Sequence, residues 1–193
     1  MSDTTEITQL VLRERQGRDR GWWDQMLACF HADSVITVSW FRGTAAEFVA
    51  GSKTTFERGI RPTHRLSPPT VHLDGRRALV ELPAAIEVRD VFEGVDADLV
   101  SYTRLLYRVE RVETDWKITA LTCIYERDTL VPVVPGTPIH LDRELLEKVR
   151  RPYRYLAYHL SSAGSAVGED LYGDDQPDRV NALYAETFKW LHH

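Results

Sequence analysis

The sequence predicts an α+β fold, and three observations predict it. Residues 4–57 carry apolar side chains at helical spacing around one strand-forming run. From Thr63 the pattern changes to four long β-rich runs, and only short polar or glycine-containing turns join them. Short turns between long runs make an antiparallel meander, and helices that precede such a sheet can cover one of its faces.

In chain order, Thr4 or Thr5 is placed to cap a first helix. Ile7, Leu10 and Val11 form its apolar side, Arg13, Glu14 and Arg15 its wetter side, and Gly17 and Gly21 bracket its end. A short second helix carries the stripe Trp22, Trp23, Met26, Leu27 and Phe30 and closes at His31-Ala32-Asp33. Asp24 falls in its first turn, where a negative side chain favours the exposed N–H groups. Val35, Ile36, Val38, Trp40 and Phe41 place the first strand over Ser34–Phe41. Ala46, Phe48, Val49 and Phe56 indicate a third helix over residues 44–57. The β-rich runs are Thr63–Leu73, Arg77–Asp90, Leu99–Val112 and Trp116–Asp128. They are separated by Asp74-Gly75, by the polar stretch Glu93–Asp98 and by Glu113-Thr114-Asp115.

Beyond Val131 the stretch VPVVPGTPIH holds Pro132, Pro135 and Pro138, too many for a helix or a central strand. Residues 1–130 are therefore expected to form the main domain, 131–138 a proline-rich linker, and 139–193 a helical extension. One helical pattern runs through Leu145, Leu146, Val149, Tyr153, Leu156 and Leu160. A second runs through Val180, Leu183, Tyr184, Phe188 and Leu191, with Pro177 at its start. Both are too apolar on one face to float free, so they should pack on the domain, as a lid, or on a second subunit, as a dimer arm.

With 24 Lys and Arg against 29 Asp and Glu, the net charge is -5, and no basic run tracks phosphates, which argues against a nucleic-acid partner. The 2 cysteines, Cys29 and Cys123, sit in apolar-patterned segments and read as small buried hydrophobes. The N-terminus shows no secretory pattern, and no apolar run approaches the roughly 18 residues of a membrane span, so a soluble, cytoplasmic protein without a membrane partner is expected. His31-Ala32-Asp33 and His140-Leu141-Asp142 lack a set of further ligands at recognisable spacing. There is no phosphate-cradling glycine loop, and Ser67, Ser161 and Ser165 lack a nucleophile-elbow context. No metal or nucleotide cofactor is implied.

The stretch RDRGWWDQMLACFHADSVITVSWF resembles the opening of the SnoaL-like branch of the nuclear-transport-factor-2-like superfamily. The likeness continues at THRLSPPTVHLDGRRALVEL and SYTRLLYRVERVETDWKITALTCIYERD and covers roughly residues 5–130. It implies a cone, in which a strongly bent sheet wraps around the helices and a pocket opens at one end. Its members include dehydratases, a dehydrochlorinase, isomerases, an epoxide hydrolase and cyclases, so fold does not settle function. Homo-oligomers, dimers above all, are also common among them. The dehydrating and dehydrochlorinating members use an Asp–His pair, and Asp19 and His64 stand at the matching positions.

Physical chemistry adds to this. A carboxylate near a helix C-terminus faces the negative end of the dipole, unfavourable by about 0.3–1 kcal/mol unless something compensates. Asp19 is so placed, either as a cap, as a partner of Arg18 or Arg20, or as the orienting group of a histidine. A histidine that donates one ring N–H to a carboxylate has its tautomer fixed and is suited to general-base work. Charge developing on a substrate needs a donor; Arg104 is the first candidate, with Tyr102 and Tyr107, of opposite strand parity, as further ones. Trp40 and Tyr125 are expected wall residues, and of Trp22 and Trp23 one should be core and the other a wall or surface residue. Two functions follow: a cofactor-independent lyase or isomerase acting on a hydrophobic, oxygenated small molecule, or a non-catalytic binding or dimerisation module on the same fold.

Overall fold

The structure is a computed structural model that describes residues 2–168 and 170–193. Helix α1 (Asp3–Arg20) starts earlier than the sequence predicts, because Ser2 rather than Thr4 or Thr5 is its N-cap and accepts from the Thr5 N–H. It ends at Gly21, whose φ of 71° is left-handed and suits a residue without Cβ. Gly17 permits the reversal that follows: a Cβ there would lie 3.0 Å from the Met26 Cβ, so α2 (Trp23–Ala28) packs directly on the α1 backbone. Strand β1 (Phe30–Val38) begins four residues ahead of its expected start, and His31–Asp33 belong to it instead of closing α2. After β2 (Phe41–Thr44), helix α3 (Ala45–Glu57) opens with a reciprocal capping box between Thr44 and Glu47.

The first β-rich run is two strands, β3 (Thr63–Leu66) and β4 (Thr70–Asp74), interrupted where Pro68 and Pro69 cannot donate to a ladder. Both pair with β5 (Arg77–Phe92), which pairs along its whole length with β6 (Val95–Val112), and β6 with β7 (Asp115–Pro132). The polar stretch Glu93–Asp98 shrinks to a two-residue turn, Glu93-Gly94, with φ of 49° and 81°. Val95–Asp98 join β6, where Ala97 is buried and Asp98 pairs across the strands with Arg89. The sheet order is β2-β1-β7-β6-β5-β3, with β1 parallel to β7 and the sheet open. Register shifts near Tyr102 and Arg108 mark irregularities of the kind that bend a strand.

Alternation along the long strands decides what faces the helices. Leu99, Leu105, Tyr107 and Val109 of β6, with Leu121, Cys123 and Tyr125 of β7, share one core with Ile7 and Val11 of α1, Met26 of α2 and Phe48 of α3. The C-terminal extension uses both faces. Its first helical pattern is broken into α4 (Arg143–Lys148), a 3-10 turn (Arg151–Tyr153) and α5 (Arg154–Ser162). The break falls where Val149 and Arg150 are extended and Pro152 lacks an N–H. Tyr153, Leu156 and Ala157 join the main core, whereas α6 (Pro177–Leu191), after the short strand β8 (Tyr172–Gly173), covers the opposite face. There Leu183 and Leu191 pack on Leu79, Leu106 and Ile124. Among the described residues, no helix is long and apolar enough to cross a membrane.

Candidate active site

The last turns of α1 bring four charged side chains to the inner face of the sheet. Glu14, Arg15 and Arg18 continue the buried stripe of Ile7 and Val11, and Asp19 sits one i, i+4 step beyond Arg15. The wetter side expected for Glu14 and Arg15 is thus corrected, since both are buried. Burial is tolerable because each is paired. Glu14 receives both Nε and Nη2 of Arg15, the first at 2.5 Å, and the Tyr107 hydroxyl at 3.1 Å. Burial works against the charge of Arg15, but Glu14 and its neighbours more than offset it and hold the guanidinium above its ordinary range.

Asp19 meets His64 at the start of β3. Its Oδ1 lies 2.6 Å from His64 Nδ1, and its Oδ2 accepts the His64 backbone N–H at 2.8 Å. These two bonds supply the compensation that a carboxylate at this end of a helix requires. Arg15 Nη1 lies 3.3 Å from His64 Nε2. Asp19 only accepts and Arg15 only donates, so Nδ1 carries the proton and Nε2 presents a lone pair. Side-chain exposures of 6% for His64 and 15% for Asp19 place the pair in the interior. Burial lowers the His64 pKa from 6.5, Asp19 opposes this, and Arg15 and Arg18 add to it, leaving the net direction downward. Burial pushes Asp19 the other way, but His64 and Arg15 prevail and keep it below its usual 3.8.

His64, Arg15 and Arg18 line a cavity of about 120 Å³ between α1, α3, the sheet and α5. Its sheet wall includes Val38, Ile86, Val88, Leu105, Cys123 and Tyr125; α3 contributes Phe48 and Thr55, and α5 contributes Leu156, His159 and Leu160. The Tyr125 oxygen accepts the Ser39 N–H at 2.7 Å, and burial drives its pKa well above 10, so it remains a neutral hydroxyl. Asp128 of β7 secures α5 by accepting the Leu156 N–H at 2.9 Å. An imidazole with an oriented lone pair, cationic neighbours and mostly apolar walls can take a proton from carbon and stabilise the charge left behind.

Residues 1–122 match the family model of the SnoaL-like domain. The chain belongs to the SnoaL-like family. An uncharacterized protein of Emericella nidulans is 31% identical over 189 residues, covering 90% of this chain and 79% of that protein. Pea pathogenicity protein 2 of Fusarium vanettenii is 28% identical over 204 residues, 98% of this chain and 88% of the relative, an alignment that takes in the C-terminal extension. Among solved structures, a putative scytalone dehydratase from Novosphingobium aromaticivorans matches with a TM-score of 0.57 at 17% identity, covering 73% of this chain and 95% of that one. A hexachlorocyclohexane dehydrochlorinase matches with a TM-score of 0.57 at 12% identity, covering 72% and 93%. These two likenesses show the fold.

Within this SnoaL-like cone the structure joins some of the predicted site residues and separates others. Asp19, His64, Trp40 and Tyr125 converge, and Tyr107 reaches the site through Glu14. Arg104 does not. It has the strand parity of the outer face, where it pairs with Glu81 and Glu126, each at 2.6 Å. Tyr102 shares that parity and lies under Arg127. Trp22 is 50% exposed, and Trp23 packs edge-on against Phe56, so neither lines the cavity. Asp24 sits in the first turn of α2, as the sequence indicates. Arg15, Arg18, Ser39 and His159 are cavity residues that the sequence reading missed. The two arginines had a readable signal, charges on the buried stripe of α1; His159 had none beyond its helical spacing.

Proposed function

We propose that this protein is a cofactor-independent lyase or isomerase of the dehydratase type, acting on a small, hydrophobic, oxygenated molecule. His64 Nε2 is the general base, and Asp19 fixes its tautomer and raises its proton affinity. Arg15, held by Glu14, and the Tyr125 hydroxyl replace Arg104 as stabilisers of the oxygen that gains charge when the proton leaves. The single observation carrying this reading is the 2.6 Å Asp19–His64 contact beside an open cavity. Because His64 is held neutral, it is ready to accept a proton at neutral pH. The imidazolium formed next to Arg15 is costly until a substrate anion forms beside it, which couples protonation to the developing charge. The family, whose members are often dehydratases or isomerases, supports the same class.

One contact favours a second reading. Arg15 Nη1, at 3.3 Å, is already the donor to the one lone pair of His64 Nε2, as in a ligand-binding module that performs no proton transfer. Deuterium uptake from heavy water into cyclic ketones and β-hydroxy carbonyl compounds, followed by NMR, separates the two. The wild type is expected to exchange or eliminate above the buffer rate, and His64→Ala to lose about 10²–10⁴-fold. Wild-type rates in His64→Ala would leave only the binding module.

A further inference from the structure

We propose that the cavity takes a small ring-bearing organic anion and that Arg18 receives its carboxylate. The proposal names the substrate class for the base-catalysed reading above and rests on it only for what happens after binding.

Arg18 is 4% exposed, and its buried Nη1 has no hydrogen-bond partner among the described residues. Neighbouring carboxylates do not satisfy it. Both oxygens of Asp19 are engaged by His64, and those of Glu14 by Arg15 and Tyr107. Burial and Arg15 lower the Arg18 pKa, against Asp19 and Glu14, to about 10, which leaves it charged at neutral pH. A buried cation with an unused N–H is costly to maintain, and an arriving acceptor removes that cost.

The surroundings select for charge. Three lining residues are cationic, Arg15, Arg18 and the rim residue Arg58, whereas no Asp or Glu lines the cavity among the described residues. The nearest carboxylates, Asp19 and Glu14, stand behind the wall and are each engaged by their own donors. A guanidinium binds a carboxylate through charge-assisted bonds about twice as strong as neutral ones. The remaining wall is mostly apolar, and about 120 Å³ is somewhat below the roughly 150 Å³ of a cavity that accepts benzene, so a single ring is the upper limit of size. Arg18 and His64 line the same cavity, so an anion held by the first shares that space with the imidazole.

Calorimetric titration of the full chain with benzoate and with its neutral isostere benzamide tests this at pH 7. Benzoate is expected to bind about ten- to a hundredfold more tightly. Arg18→Gln should bring the two ligands within about twofold of each other, and Arg18→Lys should keep part of the preference. If Arg18→Gln melts early, Arg18→Met makes the same comparison with an apolar side chain in place of the cation. Equal binding of the two ligands to the wild type, no benzoate binding, or an unchanged preference in a folded Arg18 variant would overturn the proposal. Binding needs no turnover, so the two readings fail separately. A wild type that prefers benzoate but exchanges no deuterium would sink the catalytic reading alone; exchange without the preference would sink this one alone.

Discussion

Two charge networks lie on opposite faces of the same sheet, and their differences separate a structural network from a functional candidate. On the outer face, one residue from each long strand contributes: Glu81 of β5, Arg104 of β6 and Glu126 of β7. The Tyr184 hydroxyl of α6 completes that group by donating to Glu81. Its cation is 41% exposed at the side chain and engaged by both carboxylates. On the inner face, Glu14, Arg15, Arg18, Asp19 and His64 are nearly all withdrawn from solvent. Among the described residues that network leaves one Arg18 guanidinium nitrogen without a partner, and it holds one imidazole neutral beside a cavity, with Arg15 Nη1 at 3.3 Å as the donor to its lone pair. The outer network is complete by itself. The inner one has its unused capacity where a ligand fits, as expected of groups kept for chemistry rather than stability.

The sharpest way to test that contrast is Asp19→Asn, which keeps an acceptor in place but removes the charge. Loss of the carboxylate that holds a general-base histidine in its tautomer costs as much as about 10⁴-fold in kcat in a serine-protease triad, so a fall of well over tenfold is expected. Since Asp19 raises the proton affinity of His64, the acid limb of kcat/KM should also move to lower pH. A loss of rate with an unmoved limb would make Asp19 a purely structural cap.

Acid stability gives a smaller signal. His64 is neutral in the fold because its pKa is lowered, so below the ordinary 6.5 the unfolded chain binds more protons and stability falls. Asp128 acts in the opposite sense. Burial pushes its carboxyl up to about 6, so between there and 3.8 the folded state holds the extra proton and stability rises as pH falls. Subtracting the pH profile of His64→Gln from that of the wild type removes the Asp128 contribution. The difference should decline below pH 6.5 by up to about 1.4 kcal/mol per unit for the histidine alone. Asp19, deprived of its partner in the variant, pushes the difference the same way. Denaturant titrations yielding a flat or rising difference would mean that His64 is not held neutral.

The order of elements and the meander were legible in the sequence, because period and turn chemistry are local; a helix-end carboxylate calls for some partner, but His64 as that partner came from the resemblance to the SnoaL-like family. What escaped was which face each residue uses. On β6, Ser101, Thr103, Leu105, Tyr107 and Val109 point to the core, so Arg104 shares its face with Arg108 and Glu110. Leu106 and Ile124 obscured that parity, because α6 covers the outer face and makes the strands apolar on both sides. Glu14, Arg15 and Arg18 were hidden by the reverse error. For Glu14 and Arg15 charge was read as solvation, and Arg18 was considered only as a partner of Asp19, although the spacing of all three from Ile7 and Val11 placed them on the buried stripe.

The smallest expected effect comes from the outer network, and it completes the contrast. Arg104→Gln removes a cation from between Glu81 and Glu126, all three of them partly in water. Solvent screens the carboxylate repulsion that results, so the loss of stability should not exceed about 1 kcal/mol. It should shrink in high salt, where a Debye length of about 3 Å at 1 M leaves little of a surface interaction. Activity should stay within about twofold, since the side chain lies on the face away from the cavity. Denaturant midpoints at two salt concentrations, alongside the deuterium-exchange rate, measure both. A large fall in exchange with the fold intact would return Arg104 to the site, and a salt-independent loss of several kcal/mol would show that the outer network supports the sheet as firmly as the inner one.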